Sequence, residues 1–173
     1  MEHKSLIDLG ACAEARAWAS NYPTLHDAWS ACDRGDWMLW LIACTLPRER
    51  LVWVACQIAR TALVYVPAWE DRPRLEIETA EAWARGETSL EEVSYASYST
   101  NAYDIAVAED AADAYVAADS AASAAEDAAY EAAYDATGSV AAAEAAAEAA
   151  HSETLRIIRR EIAWEEIEAA LPA

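Results

Sequence analysis

Residues 101–136 read NAYDIAVAEDAADAYVAADSAASAAEDAAYEAAYDA, and the fold turns on how this stretch is interpreted. Ala fills 25 of the 50 positions from Asn101 to Ala150. Ala is the strongest helix former, and the acids between the alanines recur at helical spacings, so the stretch reads as long helix and not as disorder. Ala111, Ala118, Ala125 and Ala132 repeat every seven residues, with Ala114, Ala121 and Ala128 at the second position of the same heptad. Such a seam is apolar but nearly without side chain. It predicts a neighbouring helix at the short end of the usual range of about 8–10 Å. Its burial yields little per residue, so the helix must lean on Ala propensity and on the rest of the chain. On a wheel of about 100° per residue, Glu109, Asp113, Asp127, Glu131 and Asp135 fall within a sector of about 80° beside the seam, with Tyr130 and Tyr134 adjoining it. The pattern leaves open whether 101–136 is one continuous helix.

Outward from this stretch, Ser89 or Thr88 is expected to cap a helix whose first turn holds Glu91 and Glu92, a placement that complements the helix dipole. Thr137-Gly138-Ser139 supplies a stop and a new cap, after which a final helix is expected to run to Pro172. The first 86 residues differ in kind: they hold seven of the eight tryptophans, all four cysteines and four of the five prolines. Short helices are predicted near 10–21, 25–34, 36–45, 48–65 and 74–85, broken at Pro23, Pro47, Pro67 and Pro73 and followed by Gly35 and Gly86. Leu51, Val52, Val54, Ala55, Ile58, Ala59, Ala62 and Leu63 recur at three and four residues, which favours helix over strand. The expected fold is all-α: a single-domain helical bundle over residues 1–173, with a Trp/Cys-rich core half (1–86) and an Ala-rich acidic half (87–173). A chain of this length should bury about 70% of its unfolded surface.

Charge is concentrated in one region. Residues 86–155 carry fifteen carboxylates and no Lys or Arg, and they supply most of the net charge of −19. Direct binding of nucleic acid is a poor expectation, because attraction to phosphate requires the Lys and Arg of which the chain has 12 against 31 acids. A solvated face that only confers solubility is the plain reading of a charge run. The absence of compensating bases also fits a surface for a basic partner. The candidate partner-binding residues are Glu109, Asp110, Asp113, Asp119, Glu126, Asp127, Tyr130, Glu131, Tyr134 and Asp135. Tyr95, Tyr98, Tyr103 and Tyr115 join Tyr130 and Tyr134 as groups that either fill space in an Ala-rich layer or anchor an interface. Trp18, Trp29, Trp37, Trp40 and Trp53 read as core.

Other chemistries find little footing. Cys12, Cys32, Cys44 and Cys56 form no CxxC pair and read as reduced, buried thiols, and His3, His26 and His151 show no zinc-ligand spacing relative to them. No metal and no cofactor are expected. No Gly-rich phosphate loop, GxSxG or HExxH motif occurs, so a non-enzymatic role is expected. The N-terminus MEHKSLIDLG lacks a continuous apolar run, and Leu51–Val66 is too short and too polar to span a bilayer, so the expected location is the cytoplasm of a bacterial host cell.

The motif Gly35-Asp36-Trp37-Met38-Leu39-Trp40, and the block Asp71-Arg72-Pro73-Arg74 followed by Ile77 to Glu87, resemble a family of immunity proteins of bacteria and phages. The resemblance covers roughly residues 10–135. It implies an all-helical fold in which a Trp-rich half runs into Ala-rich helices, and it brings no established functional residues. This chain is more acidic in its Ala-rich half than that group. In charge and helicity, though in no motif, it is similar to phage-encoded DNA-mimic inhibitors, including anti-CRISPR and anti-restriction proteins. The leading expectation is therefore a non-enzymatic acidic DNA mimic that blocks the basic DNA-binding channel of a bacterial defence complex such as a CRISPR effector. The alternatives are an immunity protein that neutralises a cognate basic toxin, and a structural or assembly protein whose acidic face keeps it soluble.

Overall fold

A computed structural model describes residues 3–96, 102–108 and 110–172. The described residues are helical throughout their regular structure, with no strand. In the Trp-rich half, α1 (Lys4–Asp8), α2 (Ala13–Ala19), α3 (Leu25–Ala31), α4 (Gly35–Thr45), α5 (Arg48–Ala62) and α6 (Arg72–Ala84) follow one another, with a 3-10 turn at Leu63–Tyr65. Local chemistry sets their ends. The Thr24 hydroxyl accepts from the Asp27 N–H at 3.0 Å and donates to its carboxylate at 2.7 Å, opening α3. Pro47 immediately precedes α5 and Pro73 sits in the first turn of α6, positions where a missing N–H breaks no helical bond.

The Ala-rich half forms α7 (Leu90–Ala96), α8 (Ala102–Val107), α9 (Ala111–Thr137), α10 (Val140–Glu161) and α11 (Trp164–Ala170). Residues 101–136 are thus not one helix. Asp110 adopts extended backbone, and its carboxylate accepts the Ala112 and Asp113 N–H groups at 2.8 and 3.0 Å, so α9 starts there afresh. Gly138, at φ 65°, turns the chain after α9, and Ser139 caps α10 by accepting from the Ala142 N–H at 3.3 Å.

The single final helix expected up to Pro172 is divided. Ile162 is fully buried in extended backbone, and side chains take over the freed polar groups. Arg50 donates to the Glu161 carbonyl at 2.6 Å and grips both oxygens of Glu166, which also accepts the Ala163 N–H at 3.2 Å. The Trp53 indole N–H donates to the Glu161 carboxylate at 2.8 Å. The turn brings the buried Trp164 against Trp29 and stacks it on His26, with ring centroids 5.6 Å apart in the stacked pair.

The two halves share one core, which runs from Leu6 to Ile167. Its axis is α5, whose Leu51, Val52, Val54 and Ile58 are completely buried among α4, α6, α8, α9 and α10. From α9 the core takes only alanines: Ala114, Ala118, Ala122 and Ala125. The buried stripe of α9 continues to Ala129, while Ala111, Ala121, Ala128 and Ala132 of the expected heptad seam are half-buried. A straight helix drifts about 20° per heptad from a strict seven-residue repeat, so over this length the buried line steps from one alanine column to the next. Beyond Ala125 the α9–α10 hairpin leaves the main core, and Ala129 and Ala143 are buried apart from it.

Two expectations about the first half need correction. Cys32 and Cys56 are buried and Cys44 is half-buried, but Cys12 is exposed, its sulfur accepting the Ala15 N–H at the start of α2. Burial pushes the Cys56 thiol up to about 12. Of the tryptophans read as core, Trp29 is buried and Trp18, Trp37 and Trp40 are half-buried and packed against the core, but Trp53 is half-buried at its margin; Trp69, not among them, is 81% exposed.

A buried ionic fork joins α5 to α6. Arg60 donates to the two oxygens of Glu81 at 2.6 and 2.7 Å, and Gln57 adds a third hydrogen bond at 2.8 Å. The Arg60 hydrogen bonds hold the Glu81 carboxyl below its ordinary range despite burial. Arg60→Ala is expected to cost about 2 kcal/mol in urea unfolding, below the fully buried range because the guanidinium is partly exposed, while Arg60→Met with Glu81→Met costs less than the single change. Equal losses would show that the fork is not a coupled pair. Ala118→Leu inserts a side chain where exposure is 0% and is expected to cost about 1–3 kcal/mol. Unchanged stability in thermal unfolding would show that α9 is not pressed against α4 and α5.

Candidate partner-binding surface

The outward face of α9 is defined by what its inward face must do. With Ala114, Ala118, Ala122, Ala125 and Ala129 turned to the bundle, Asp113, Asp127, Glu131 and Asp135 come out exposed on the other side. The last three stand at i, i+4 and i+8, about 6 Å apart along the axis from one to the next. None is ion-paired to a Lys or Arg among the described residues. Like charges at this spacing cost an isolated helix a few tenths of a kcal/mol per pair, about 0.2–0.5. Tyr130 and Tyr134 stack in near-parallel planes with centroids 6.5 Å apart, Tyr130 half-buried and Tyr134 43% exposed.

The antiparallel neighbour carries exposed acids of its own. Glu144 and Glu148 of α10 are exposed at i and i+4 and likewise lack an ion-pair partner among the described residues. They were not among the candidate residues from sequence. Their four-residue spacing and the Thr137-Gly138-Ser139 turn are the signals of a second acidic row, on the helix that packs against α9.

Other candidates sit elsewhere. Asp110 is exposed but serves as the cap of α9. Glu109 and Tyr98 lie outside the described residues, as does the side chain of Tyr103. Tyr115 is half-buried against the core, and Tyr95 is 82% exposed on α7. Asp119 and Glu126 are half-buried and do not belong to the outward row. Both lie about 120–140° round the helix from the centre of that row, toward α4 and α10. There they line a cleft of about 300 Å³ together with Arg34, Asp36, His151 and Thr154. Arg34 forks Asp36 at 2.8 and 2.6 Å. Asp119 is raised above the ordinary carboxyl range by burial first, then by the charges of Asp36 and Glu126, with Arg34 opposing.

His151 closes the cleft. Its Nε2 lies 2.9 Å from the Asp33 carbonyl and its Nδ1 lies 2.9 Å from Glu126 Oε1. Both neighbours are acceptors, so only the imidazolium satisfies both. Burial pulls its pKa down, but the Asp33 carbonyl and the Glu126 carboxylate outweigh this and hold it above the usual 6.5. The ring thereby ties α9, α10 and the α3–α4 connection together. Among the described residues, no group of three or more His, Cys, Asp or Glu side chains is placed to hold a metal ion, and no helix is long and apolar enough to cross a membrane. Comparison of the chain with family models, curated proteins and solved structures finds no match.

A folded-state pKa above the unfolded one means that the His151 contribution is fully present below the unfolded value. It is lost as pH rises through the folded value. The stability difference between wild type and His151→Gln is expected to be about 1 kcal/mol near pH 5.5 and to vanish toward pH 9, measured by urea unfolding. A difference independent of pH would remove the charged bridge.

Proposed function

We propose that the protein is a non-enzymatic inhibitor whose acidic helical hairpin imitates the phosphate rows of DNA and occupies the basic DNA-binding channel of a bacterial defence complex such as a CRISPR effector. The observation that carries this reading is the row of exposed, unpaired carboxylates at Asp127, Glu131 and Asp135, with Glu144 and Glu148 on the adjoining helix. Their axial spacing of about 6 Å forms a regular line of negative charge, roughly one carboxylate for every two phosphates of one strand along a duplex axis. A helix hydrogen-bonded along its length holds them without ordering flexible backbone on binding, so little conformational entropy is lost. Several acids elsewhere contrast with them: Asp36, Glu70, Asp71, Glu81 and Glu166 each hold an arginine. The uncompensated field steers a basic groove toward the hairpin and makes the association fast and salt-sensitive. Tyr134, exposed beside the row, supplies a flat amphipathic contact at its edge.

The test is competition. A purified CRISPR effector complex is mixed with target DNA in an electrophoretic shift assay, with the protein added before or after the DNA. The shift is expected to disappear only when the protein is added first and to return as salt is raised. The triple change Asp127→Lys, Glu131→Lys and Asp135→Lys is expected to abolish inhibition with helicity unchanged by circular dichroism. Full inhibition by that folded variant would remove the hairpin from the mechanism. An unchanged shift, together with tight binding of one basic toxin, would assign the same surface to toxin neutralisation.

A further inference from the structure

A second surface lies away from the acidic hairpin. Leu75, Glu78, Thr79 and Ala82 follow one another at i, i+3, i+4 and i+7 and form one face of α6. Thr88, Glu92 and Tyr95 of the α7 segment face them across an open groove of about 600 Å³. Its floor is small, from Thr79 and Ala82, and its walls are large and solvent-exposed: Leu75 is 55% exposed and Tyr95 82%. Apolar groups of this size left in water beside a groove mark an interaction site, and a large aromatic at the edge is a typical anchor. Two helices meeting at such a groove present the seat into which a third helix packs its ridge.

The charge around the groove selects the occupant. Arg72, Arg74 and Arg85, the basic residues of α6 and its end, are each held by an acid close by in sequence: Glu70, Asp71 and Glu87. Glu78 and Glu92 on the walls are ion-paired to no Lys or Arg among the described residues, and Glu92 is held in place by Thr88 and the Ser89 N–H. The rim therefore presents fixed negative charge over an apolar floor. A second copy of this chain is a poor occupant, since it brings its own net charge of −19 to the same surface.

We infer that the α6–α7 groove docks an amphipathic basic helix of a partner protein, with its apolar residues on Leu75, Ala82 and Tyr95 and its Lys or Arg side chains against Glu78 and Glu92. The stripe from Leu75 to Ala82 runs about 10 Å, enough for two turns of the docked helix. This site does not rest on the hairpin: α6 and α7 pack on α5, α8 and each other, whereas α9 and α10 pack mainly on each other and on α4 and α5, with α8 lying between α9 and the α6–α7 pair.

The probe is a fluorescein-labelled peptide of Leu and Lys, roughly 14 residues long, with Leu at i, i+3, i+4 and i+7 along a four-turn helix. A scrambled isomer of the same composition controls for general attraction of cations to an acidic protein. By fluorescence anisotropy the amphipathic peptide is expected to bind about tenfold more tightly than its isomer. Leu75→Ala with Tyr95→Ala, both at exposed positions, is expected to bring the two peptides level, as is Thr79→Arg, each variant checked by circular dichroism. The triple change Asp127→Lys, Glu131→Lys and Asp135→Lys weakens both peptides alike and preserves the preference, which separates this groove from the hairpin. Equal binding of the two peptides to the wild type, or a preference that survives the Leu75 and Tyr95 changes, would overturn the inference. So would a dimer in sedimentation that these changes dissolve.

Discussion

Everything about this molecule depends on pressing a helix with almost no side chains against one that has many. The inward stripe of α9 is alanine, and each alanine removes little area from water. Most of the stabilising apolar burial therefore comes from the other side of the contact, from Leu51, Val52, Val54 and Ile58 of α5 and from the aromatic groups behind them. The division of labour explains the two compositional halves. The Trp-rich half is large where the Ala-rich half is small, and neither builds a complete core alone.

The same contact organises the charges. A stripe of small residues leaves the outward side of α9 free of packing duties, and that is where Asp113, Asp127, Glu131 and Asp135 stand. The few bases of the chain are spent on joints. Arg50 fixes the corner between α10 and α11, Arg60 ties α5 to α6, Arg48 reaches the Ala108 carbonyl at the break before α9, and Arg159 reaches the Cys32 carbonyl. Little cation is left for the hairpin, and its field stays open to solvent. His151 is the exception: it balances Glu126 where the hairpin meets the bundle.

Much of this was legible in the residues. The helix types and most breaks followed from prolines, glycines, caps and the three-four spacing of apolar groups, because these act locally. The outward position of Asp113, Asp127, Glu131 and Asp135 followed from helical geometry alone. Asp119 and Glu126 lie off the outward row by the same helical geometry; what nothing local announces is the cleft with α4 and α10 that their side of the helix lines. The corner at Ile162 depends on Arg50, more than a hundred residues away in sequence. The break at Asp110 was readable in principle, since an Asp that accepts the N–H groups two and three residues on is a cap, but the alanines on either side masked it. The shift from a heptad seam to a stripe through Ala122 and Ala129 is the arithmetic of a straight helix, which no seven-residue count captures.

The alanine stripe has one more consequence, for how such a surface changes over generations. No interior contact depends on which residues occupy positions 127, 131, 135, 144 and 148, because all of them point away from the packing. Replacements there leave the fold in place, so the charge pattern of this face can drift one side chain at a time while the scaffold is inherited intact. A surface built this way can be rewritten over generations without passing through misfolded ancestors.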